Sequence, residues 1–485
     1  MKRTIIYAIL LLCTISCTIK KDLNIKMDYL LNWNTDRLQV QLTYYPSLPD
    51  STTLLYGDIA YGGQADIFSC IHNITAENCT ILPDSASRSI KLLYQGRPEL
   101  HISYEIAYDL ENTNLNCPRE LFRPNTDTTF LYVQGLNLYL REAGEMEYLQ
   151  RVTWKNTPPF PTFCMYSKDG STAPHTAPGN EFHYKFILGD RNLHIDTIKL
   201  NGITNYMVTA PLQLHQYNRN SLKKFFKDIY AGYQKFWNDT IDYGYTLVMY
   251  PFEKIHHNVT GLGLGHAFLC RYSHFADTIL TKERATTVAH EIGHNWISGE
   301  QWFGEGFNDL QTWHILTASG LRTIDDYVAE LNSYINSLHK SKIRNIPNSE
   351  IAGNFWKLGD YSWIIYWRGA VYGFRLLGQI EAATSRPGAF RELMLAIGKE
   401  NASNMTREPF INAASLFLNR QLLEEEFDKY IINGESMDLT TTPLPSGCAI
   451  HYTPHGTPQI RITDREAFAR HFSISEQRPS PPLSL

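Results

Sequence analysis

The pattern of apolar and polar residues follows two different periods along the chain. Between residues 25 and 212, short runs such as 38–44, 101–106 and 182–186 alternate between apolar and polar residues. Period two places the apolar side chains on one face of a strand, and turn-forming polar residues separate the runs. The pattern predicts an N-terminal β-sandwich-like domain over residues 25–212.

A helical period begins beyond residue 213. Phe226, Ile229 and Tyr233 recur at spacings of three and four, which places them on one face of a helix. Short apolar runs that predict strands follow, and the chain is mostly helical from residue 281 onward. We therefore expect an α+β fold, with three segments after the β-rich domain: a mixed domain over 213–320, a mostly helical part over 321–434, and a C-terminal extension and tail over 435–485.

Length and charge narrow the class of protein. The chain has 485 residues, of which 43% are apolar and 19% charged, so it is too long for one hydrophobic core. The formal net charge of −5 argues against a basic face that binds nucleic acid, and we expect no nucleic-acid partner. Composition leaves two classes open: a large enzyme, or a large binding protein rich in aromatic residues.

The first 24 residues predict export. Lys2 and Arg3 precede a short apolar run, as in a signal peptide over residues 1–16. Residues 14–17 resemble the bacterial lipobox, which implies that Cys17 receives lipid and that residues 17–24 form a tether. We therefore expect a lipid-anchored protein of the bacterial cell envelope that faces the periplasm or the cell exterior. The alternative is an ordinary secretory signal in which Cys17 is incidental.

Six cysteines follow residue 17, and an even number in an exported chain permits disulfides. The closest pairings along the sequence are Cys70 with Cys79 and Cys117 with Cys164. Because six cysteines allow fifteen connectivities, the sequence does not choose among them.

The sequence HEIGH at residues 290–294 is the most informative motif. Residues four apart lie on one face of a helix, so His290 and His294 can point at the same ion. Glu291 would then lie beside that ion, where a base that activates water must lie. A catalytic zinc site needs a third protein ligand and one open position. The alternative is a charged helix face with two solvated histidines.

The third ligand is expected in the segment WFGEGFND at residues 302–309. Glu305 can complete the ligand set, and Asp309, one helical turn later, can accept a hydrogen bond from a ligand histidine. Glu300 is the nearest alternative to Glu305.

HExxH followed by a glutamate in such a segment resembles the gluzincin metallopeptidases, and the Glu-x-x-x-Asp spacing is similar to that of thermolysin relatives. The string at residues 302–307 resembles the glycyl aminopeptidase family and, more distantly, the aminopeptidase N family. This resemblance implies a thermolysin-like catalytic domain over residues 213–320. It also implies Zn²⁺ bound by His290, His294 and Glu305, and a peptide or protein substrate.

A second segment, YWRGA at residues 366–370, resembles the Tyr-x-Lys-Gly segment of the same aminopeptidases. The resemblance implies that Tyr366 donates a hydrogen bond to the oxyanion of the tetrahedral intermediate. Tyr361 matches a second tyrosine found near the site in some relatives. The alternative is that both are core aromatic residues of a helix.

A third segment, GLGLGH at residues 261–266, resembles a Gly-Gly-Leu-Glu-His-like run of the glycyl aminopeptidase family. The resemblance implies that Gly263, Leu264, Gly265 and His266 bind the substrate, whose backbone would pair with this strand. Gly265 stands where the family has the glutamate that anchors the substrate amino terminus. An endopeptidase, or an exopeptidase anchored from another loop, would suit this departure equally.

These motifs together predict an exported zinc-dependent metallopeptidase, aminopeptidase-like, which hydrolyses peptide bonds through a zinc-bound water activated by Glu291. The alternative from a different class is a non-catalytic surface lipoprotein that binds glycan or peptide. Its support is the aromatic content of 29 tyrosines and 9 tryptophans, which suits stacking platforms.

Overall fold

The computed structural model describes residues 25–47, 50–57, 67–108, 123–144, 147–210, 219–239, 243–251, 259–272, 282–355 and 359–473. The predicted signal peptide, the tether and Cys17 lie outside the described residues, as does Cys117. Among the residues described, no helix is both long and apolar enough to cross a membrane.

The first of two compact units ends at Leu193. The sequence placed this boundary at residue 212. Two strands lie between these positions, β15 (His194–Leu200) and β16 (Ile203–Thr209), and β16 pairs in parallel with β17 (Thr246–Pro251). Because hydrogen bonds between strands join them into one sheet, β15 and β16 belong to the second unit. The finer division of that unit stays a prediction.

The first unit is rich in strands, as the alternation predicts. Its strands are β1 (Ile25–Asn34), β2 (Arg37–Tyr44), β3 (Ser51–Leu55), β4 (Ile71–Ala76), β5 (Thr80–Asp84), β6 (Ser89–Leu93), β7 (Leu100–Ile106), β8 (Asn125–Asp127), β9 (Phe130–Gln134), β10 (Arg141–Glu142), β11 (Leu149–Asn156), β12 (Thr162–Cys164), β13 (His175–Pro178) and β14 (Phe186–Asp190). They form three sheets in the orders β13-β11-β1-β2-β7-β4, β10-β3-β6-β5 and β12-β14-β9-β8.

Strand β1 illustrates why these residues form a sheet. Met27, Tyr29 and Leu31 are buried in the core of the unit, whereas the residues between them are half-buried on the other face. A slip of one residue would exchange the two faces, so the alternation also fixes the pairing register with β2.

The prediction of a strand at residues 182–186 is wrong. A short helix, α1 (Gly179–His183), covers the first part of that run, and β14 begins only at Phe186. Phe182 and His183 are both buried, so the apolar and polar residues do not divide between two faces of a strand there. A run this short carries too few positions to separate a helical turn from a strand.

The second unit has a five-stranded sheet in the order β15-β16-β17-β19-β18, where β18 is Val259–Gly263 and β19 is Ala267–Tyr272. Strand β18 pairs antiparallel with β19 and stands at the end of this order. A hairpin of β20 (Cys448–Tyr452) and β21 (Pro458–Ile462) lies in the predicted C-terminal extension.

Helices make up most of the remaining second unit, as predicted. They are α2 (Arg219–Trp237), α3 (Lys282–Gly293), a π-helix (Trp302–Phe307) that continues into α4 (Asn308–Ala318), α5 (Ile324–Lys340), α6 (Asn348–Ala352), α7 (Asp360–Thr384), α8 (Ala389–Ala402), α9 (Arg407–Ala414), α10 (Arg420–Phe427), a second π-helix (Asp428–Ile432) and α11 (Arg465–Ala469). Apolar residues of the sheet and of these helices share one core. The α+β class, with a sheet-rich first part and a helical later part, is thus confirmed.

The cysteines do not form the nearest predicted disulfide. Cys79 carries a free thiol, so no bond joins it to Cys70. Cys164 is also a free thiol, and it is buried in the core of the first unit. Burial raises the pKa of the Cys164 thiol to about 12, so it stays protonated at neutral pH.

Candidate active site

Helix α3 holds His290 in its last turn, and His294 follows directly after the helix ends. The two Nε2 atoms lie 3.2 Å apart. Each ring is held through its other nitrogen: Nδ1 of His290 lies 2.7 Å from Oδ1 of Asp309, and Nδ1 of His294 lies 3.0 Å from the Ile297 carbonyl oxygen. Because both partners are acceptors, each Nδ1 donates, and both Nε2 lone pairs are presented to the same point.

The end of α3 is fixed by side chains from other elements. The last carbonyl groups of a helix have no partner within it. Here Asn308 Nδ2 donates to the His290 carbonyl at 2.9 Å, and the Tyr245 hydroxyl donates to the Glu291 carbonyl at 3.1 Å. These bonds tie the residues that carry the motif to α4 and to the start of β17.

Glu305 reaches the histidines from the first π-helix. Its Oε2 atom lies 3.1 Å from His290 Nε2 and 3.7 Å from His294 Nε2. Single π-helical turns within helices often occur at functional sites, because the wider turn changes the direction of the side chains. The structure therefore brings His290, His294 and Glu305 together.

The spacing of the three donors fits zinc. Ligand atoms about 2.1 Å from a tetrahedral ion lie about 3.4 Å from one another. The three distances here are 3.1, 3.2 and 3.7 Å, and two imidazoles with one carboxylate are a donor set of catalytic zinc sites. Glu300, the alternative ligand, is exposed and accepts a hydrogen bond from Trp302 Nε1 at 2.8 Å. It is not part of the group of donors.

Asp309 is itself held by a residue that the sequence did not single out. The Tyr334 hydroxyl, on α5, donates to Asp309 Oδ2 at 2.5 Å, while the other oxygen of Asp309 accepts from His290. Tyr334 packs edge-on against Trp313, with ring centroids 4.8 Å apart. In the sequence it looks like any other aromatic residue of an amphipathic helix, so no signal distinguishes it.

Tyr366 reaches the site because α7 and the first π-helix touch backbone to backbone. A Cβ added to Gly306 would lie 2.5 Å from Gly369 Cα, and one added to Gly369 would lie 2.1 Å from the Trp302 carbonyl oxygen. Only glycine permits this approach. It places the Tyr366 ring beside the histidine pair, with its centroid 6.0 Å from that of His290.

The remaining residues of the segment YWRGA hold α7 in place. Arg368, where the aminopeptidases have lysine, is buried and donates to the carbonyl oxygens of Arg344 and Ile346 at 3.0 and 2.9 Å. Tyr361 lies half-buried in the first turn of α7, and its role stays a prediction.

Burial and charge set the protonation of the site. Burial alone would raise the pKa of Glu305, but when the histidines are protonated, their charges and the hydrogen bond that His290 then donates lower it to about 2. Burial raises the pKa of Glu291 above its ordinary value. Burial, together with the Glu305 carboxylate, raises the pKa of Tyr366 well above its ordinary value, so this residue stays a neutral O–H donor.

Strand β18 runs beside Glu291. A Cβ added to Gly263 would lie 2.9 Å from Glu291 Oε2, whereas one added to Gly265 would meet no atom within 4 Å. His266 stacks on Tyr243, with ring centroids 3.7 Å apart. The structure thus places the predicted strand next to the motif, with open space where the family has its anchoring glutamate.

Leu264 faces the interior of the hairpin, and its role in substrate binding stays a prediction. Its side chain is buried, its N–H donates to the Ala267 carbonyl at 2.8 Å, and its own carbonyl accepts from Ala267 at 3.1 Å. Along an antiparallel strand, every second residue bonds to the neighbouring strand and the residues between them point their backbone groups the other way. Leu264 bonds to Ala267, so Gly261 and Gly263 direct their backbone groups to the outer edge of the sheet. On this face, Gly261 can pair with an extended chain.

In fold, the chain is similar to zinc metallopeptidases of the aminopeptidase N kind, the proteins that its motifs resemble. An aminopeptidase N family protein from Idiomarina loihiensis matches with a TM-score of 0.69 at 14% identity, over 88% of this chain and 79% of that one. An M1 zinc metallopeptidase from Deinococcus radiodurans matches with a TM-score of 0.50 at 13% identity, over 86% and 95% of the two chains.

A mutant of an M1 zinc metallopeptidase from Deinococcus radiodurans, solved with a Tyr-Ser-Ala substrate bound, matches with a TM-score of 0.50 at 12% identity, over 86% of this chain and 95% of that one. No model of a known protein family matches the chain, and no curated protein matches it. At these identities the similarity is one of fold.

Proposed function

We propose that this protein is a zinc-dependent metallopeptidase that hydrolyses peptide bonds. The observation that carries the proposal is the convergence of His290, His294 and Glu305 at zinc-ligand spacing, with Glu291 and Tyr366 beside them. Similarity of fold to metallopeptidases, one of them bound to a Tyr-Ser-Ala substrate, supports it.

In the proposed mechanism, His290, His294 and Glu305 hold Zn²⁺, which when bound supplies the Lewis acid that activates water and polarises the scissile carbonyl. Glu291 takes a proton from the attacking water and returns it to the leaving amine. Tyr366, whose raised pKa keeps it a neutral hydroxyl, donates a hydrogen bond to the developing oxyanion.

The substrate is proposed to lie along β18 in extended form. Gly261 directs its backbone groups to the outer edge, and the next residue of the same face, Gly263, adjoins the proposed base Glu291. Gly265 supplies no carboxylate that could pair with a substrate ammonium group. We therefore infer that cleavage does not require a free amino terminus, and that blocked peptides are substrates.

The central experiment combines metal analysis with turnover. The purified mature protein is expected to hold about one zinc per chain and to cleave blocked peptides, and a chelator should abolish the cleavage. Glu291→Gln should retain zinc but lose turnover. Full activity in Glu291→Gln would refute the mechanism, whereas strict need for a free amine would show that another residue anchors the substrate.

The alternative is a non-catalytic surface protein that binds glycan or peptide. Intact, folded protein that binds no zinc and cleaves no peptide would favour this alternative. The aromatic content of the chain does not distinguish the two functions, because many of its aromatic rings pack in the two hydrophobic cores.

Export and anchoring are proposed separately from the chemistry. The basic residues, the apolar run and the lipobox-like residues 14–17 support lipid attachment at Cys17 in the cell envelope. In a bacterial host, the protein should fractionate with membranes, and Cys17→Ser should release it into the soluble envelope fraction or leave its signal peptide uncleaved. Unchanged membrane association and processing of Cys17→Ser would rule out the anchor.

A further inference from the structure

Trp363 is unusually exposed for its size. Just over half of its surface, 52%, is accessible, which exceeds that of the other large apolar side chains in the described part of the chain. A tryptophan left in water forgoes the stabilisation that burying its ring would give. Trp363 lies near the start of α7.

The exposed ring lies against the proposed oxyanion donor. The ring centroids of Trp363 and Tyr366 are 5.3 Å apart with an interplanar angle of 50°. Tyr366 in turn lies beside the proposed zinc ligands, with its ring centroid 6.0 Å from that of His290. Trp363 therefore borders the site on the side of α7, one helical turn before Tyr366.

A surface without side chains borders the site on the side of the sheet. Gly261, Gly263 and Gly265 alternate along and just beyond β18 and are exposed, whereas Leu262 and Leu264 between them are buried. Residues two apart share one face of a strand, so Gly261 and Gly263 lie on one face of β18, and Gly265 lies in the turn that follows, with φ of 55°. These three exposed positions without side chains are called the glycine face.

Glycine is required at position 263 because the carboxylate of Glu291, the proposed base, lies directly beside it. A side chain at Gly263 would collide with Glu291, whose Oε2 would lie 2.9 Å from the new Cβ. That constraint applies to Gly263 alone. At Gly265 a Cβ would meet nothing within 4 Å, so the space there remains available to a ligand.

We propose that Trp363 and the glycine face form a subsite for a large aromatic side chain of the substrate, on a residue that flanks the scissile bond. Peptides with phenylalanine, tyrosine or tryptophan at that position are then the preferred substrate class. Aromatic rings gain from stacking on an exposed indole, and bare backbone leaves room for their width. This inference rests on the proposed function.

The test measures selectivity, because a merely structural role of Trp363 would lower all rates alike. The probes are two pairs of quenched fluorescent peptides, in free-amine and blocked forms. Within each pair the peptides differ only by Phe or Ala on one side of the scissile bond. The variants are Trp363→Ala and the conservative Trp363→Phe, and the control is Tyr452→Ala, which removes an equally exposed aromatic ring from the β20–β21 hairpin.

In one pair, the parent protein should favour Phe over Ala by about tenfold or more in kcat/KM. Trp363→Ala should reduce that ratio to near one, while Trp363→Phe and Tyr452→Ala should retain most of it. A ratio near one in the parent protein for both pairs, or an unchanged ratio in Trp363→Ala, overturns the subsite.

A protein that cleaves none of the peptides would count against the proposed function. In that case, the affinity of the protein for the same peptides tests whether the subsite exists. Calorimetric titration of the same peptides into zinc-loaded Glu291→Gln protein should give tighter binding of the Phe peptide, lost when Trp363→Ala is added. Equal binding of both peptides, or no binding, overturns the subsite.

Discussion

Replacing Tyr334 by phenylalanine should weaken zinc binding, although Tyr334 contacts none of the three proposed ligands. Its hydroxyl donates to Asp309 Oδ2 at 2.5 Å, and Asp309 orients His290 through a bond of 2.7 Å. A hydrogen bond to a charged group is worth about 1.5–3 kcal/mol. Loss of partners that orient a ligand histidine costs about 10- to 100-fold in metal affinity, so we expect the Kd for zinc to rise within that range.

The assay is a competition titration of zinc against a chelating dye, with unfolding of the zinc-free protein measured in parallel. The matched control is Tyr372→Phe, which removes a buried hydroxyl that finds no hydrogen-bond partner among the described residues. Its zinc Kd should stay within about twofold of the parent value. A folded Tyr334→Phe protein with unchanged zinc affinity would refute the proposed chain from Tyr334 to His290.

Three further predictions concern packing, pH and the missing anchor. Gly369→Ala should lower the free energy of unfolding by about 1–3 kcal/mol and lower turnover, because the new Cβ would lie 2.1 Å from the Trp302 carbonyl oxygen. The control is Gly304→Ala, whose new Cβ has its nearest neighbour at 3.5 Å and should change neither quantity. Equal effects of the two substitutions in denaturant unfolding would contradict this reasoning. Burial, and then His471, lower the pKa of His314 to about 3, below the 6.5 of an unfolded histidine. Between pH 3 and pH 6.5, only the unfolded state therefore binds a proton at His314. The contribution of His314 to the free energy of unfolding is thus complete above about pH 6.5, and the free energy of unfolding falls by about 2 kcal/mol from pH 7 to pH 5. His314→Phe should remove that part of the pH dependence of unfolding, and an unchanged slope would show that the folded protein already accommodates the charge. Gly265→Glu should raise kcat/KM for free-amine peptides relative to blocked ones; the opposite trend would mean that this position does not face the substrate amino terminus.

Local patterns predicted those features that depend on neighbouring residues. The alternation in β1 and the three-and-four spacing in α2 gave the correct elements. The spacing in HEIGH placed two histidines at one point. Each of these patterns is complete within a few turns or strands, so it can be recognised without knowledge of the rest of the fold.

Features that depend on distant contacts could not be predicted in the same way. The membership of β15 in the second unit depends on a sheet that closes only when β16 meets β17. Tyr334 acquires its role from Asp309, a residue on another helix. The backbone bonds of Leu264 to Ala267 and the burial of its side chain belong to the folded hairpin, whereas the sequence shows only a glycine-rich run.

The contact between Gly306 and Gly369 has a consequence for how the site comes into being during folding. Glu305 and Tyr366 lie on segments that are far apart in the sequence and meet only where these two backbones touch. A chain in which α7 has not yet docked holds the histidine pair but lacks the support that sets the third donor. Tight zinc uptake would then come late, after docking, and the bound ion would in turn hold the docked helices together. Where metal is scarce, the supply of zinc would thus govern how long the fold lasts as well as how fast the protein works.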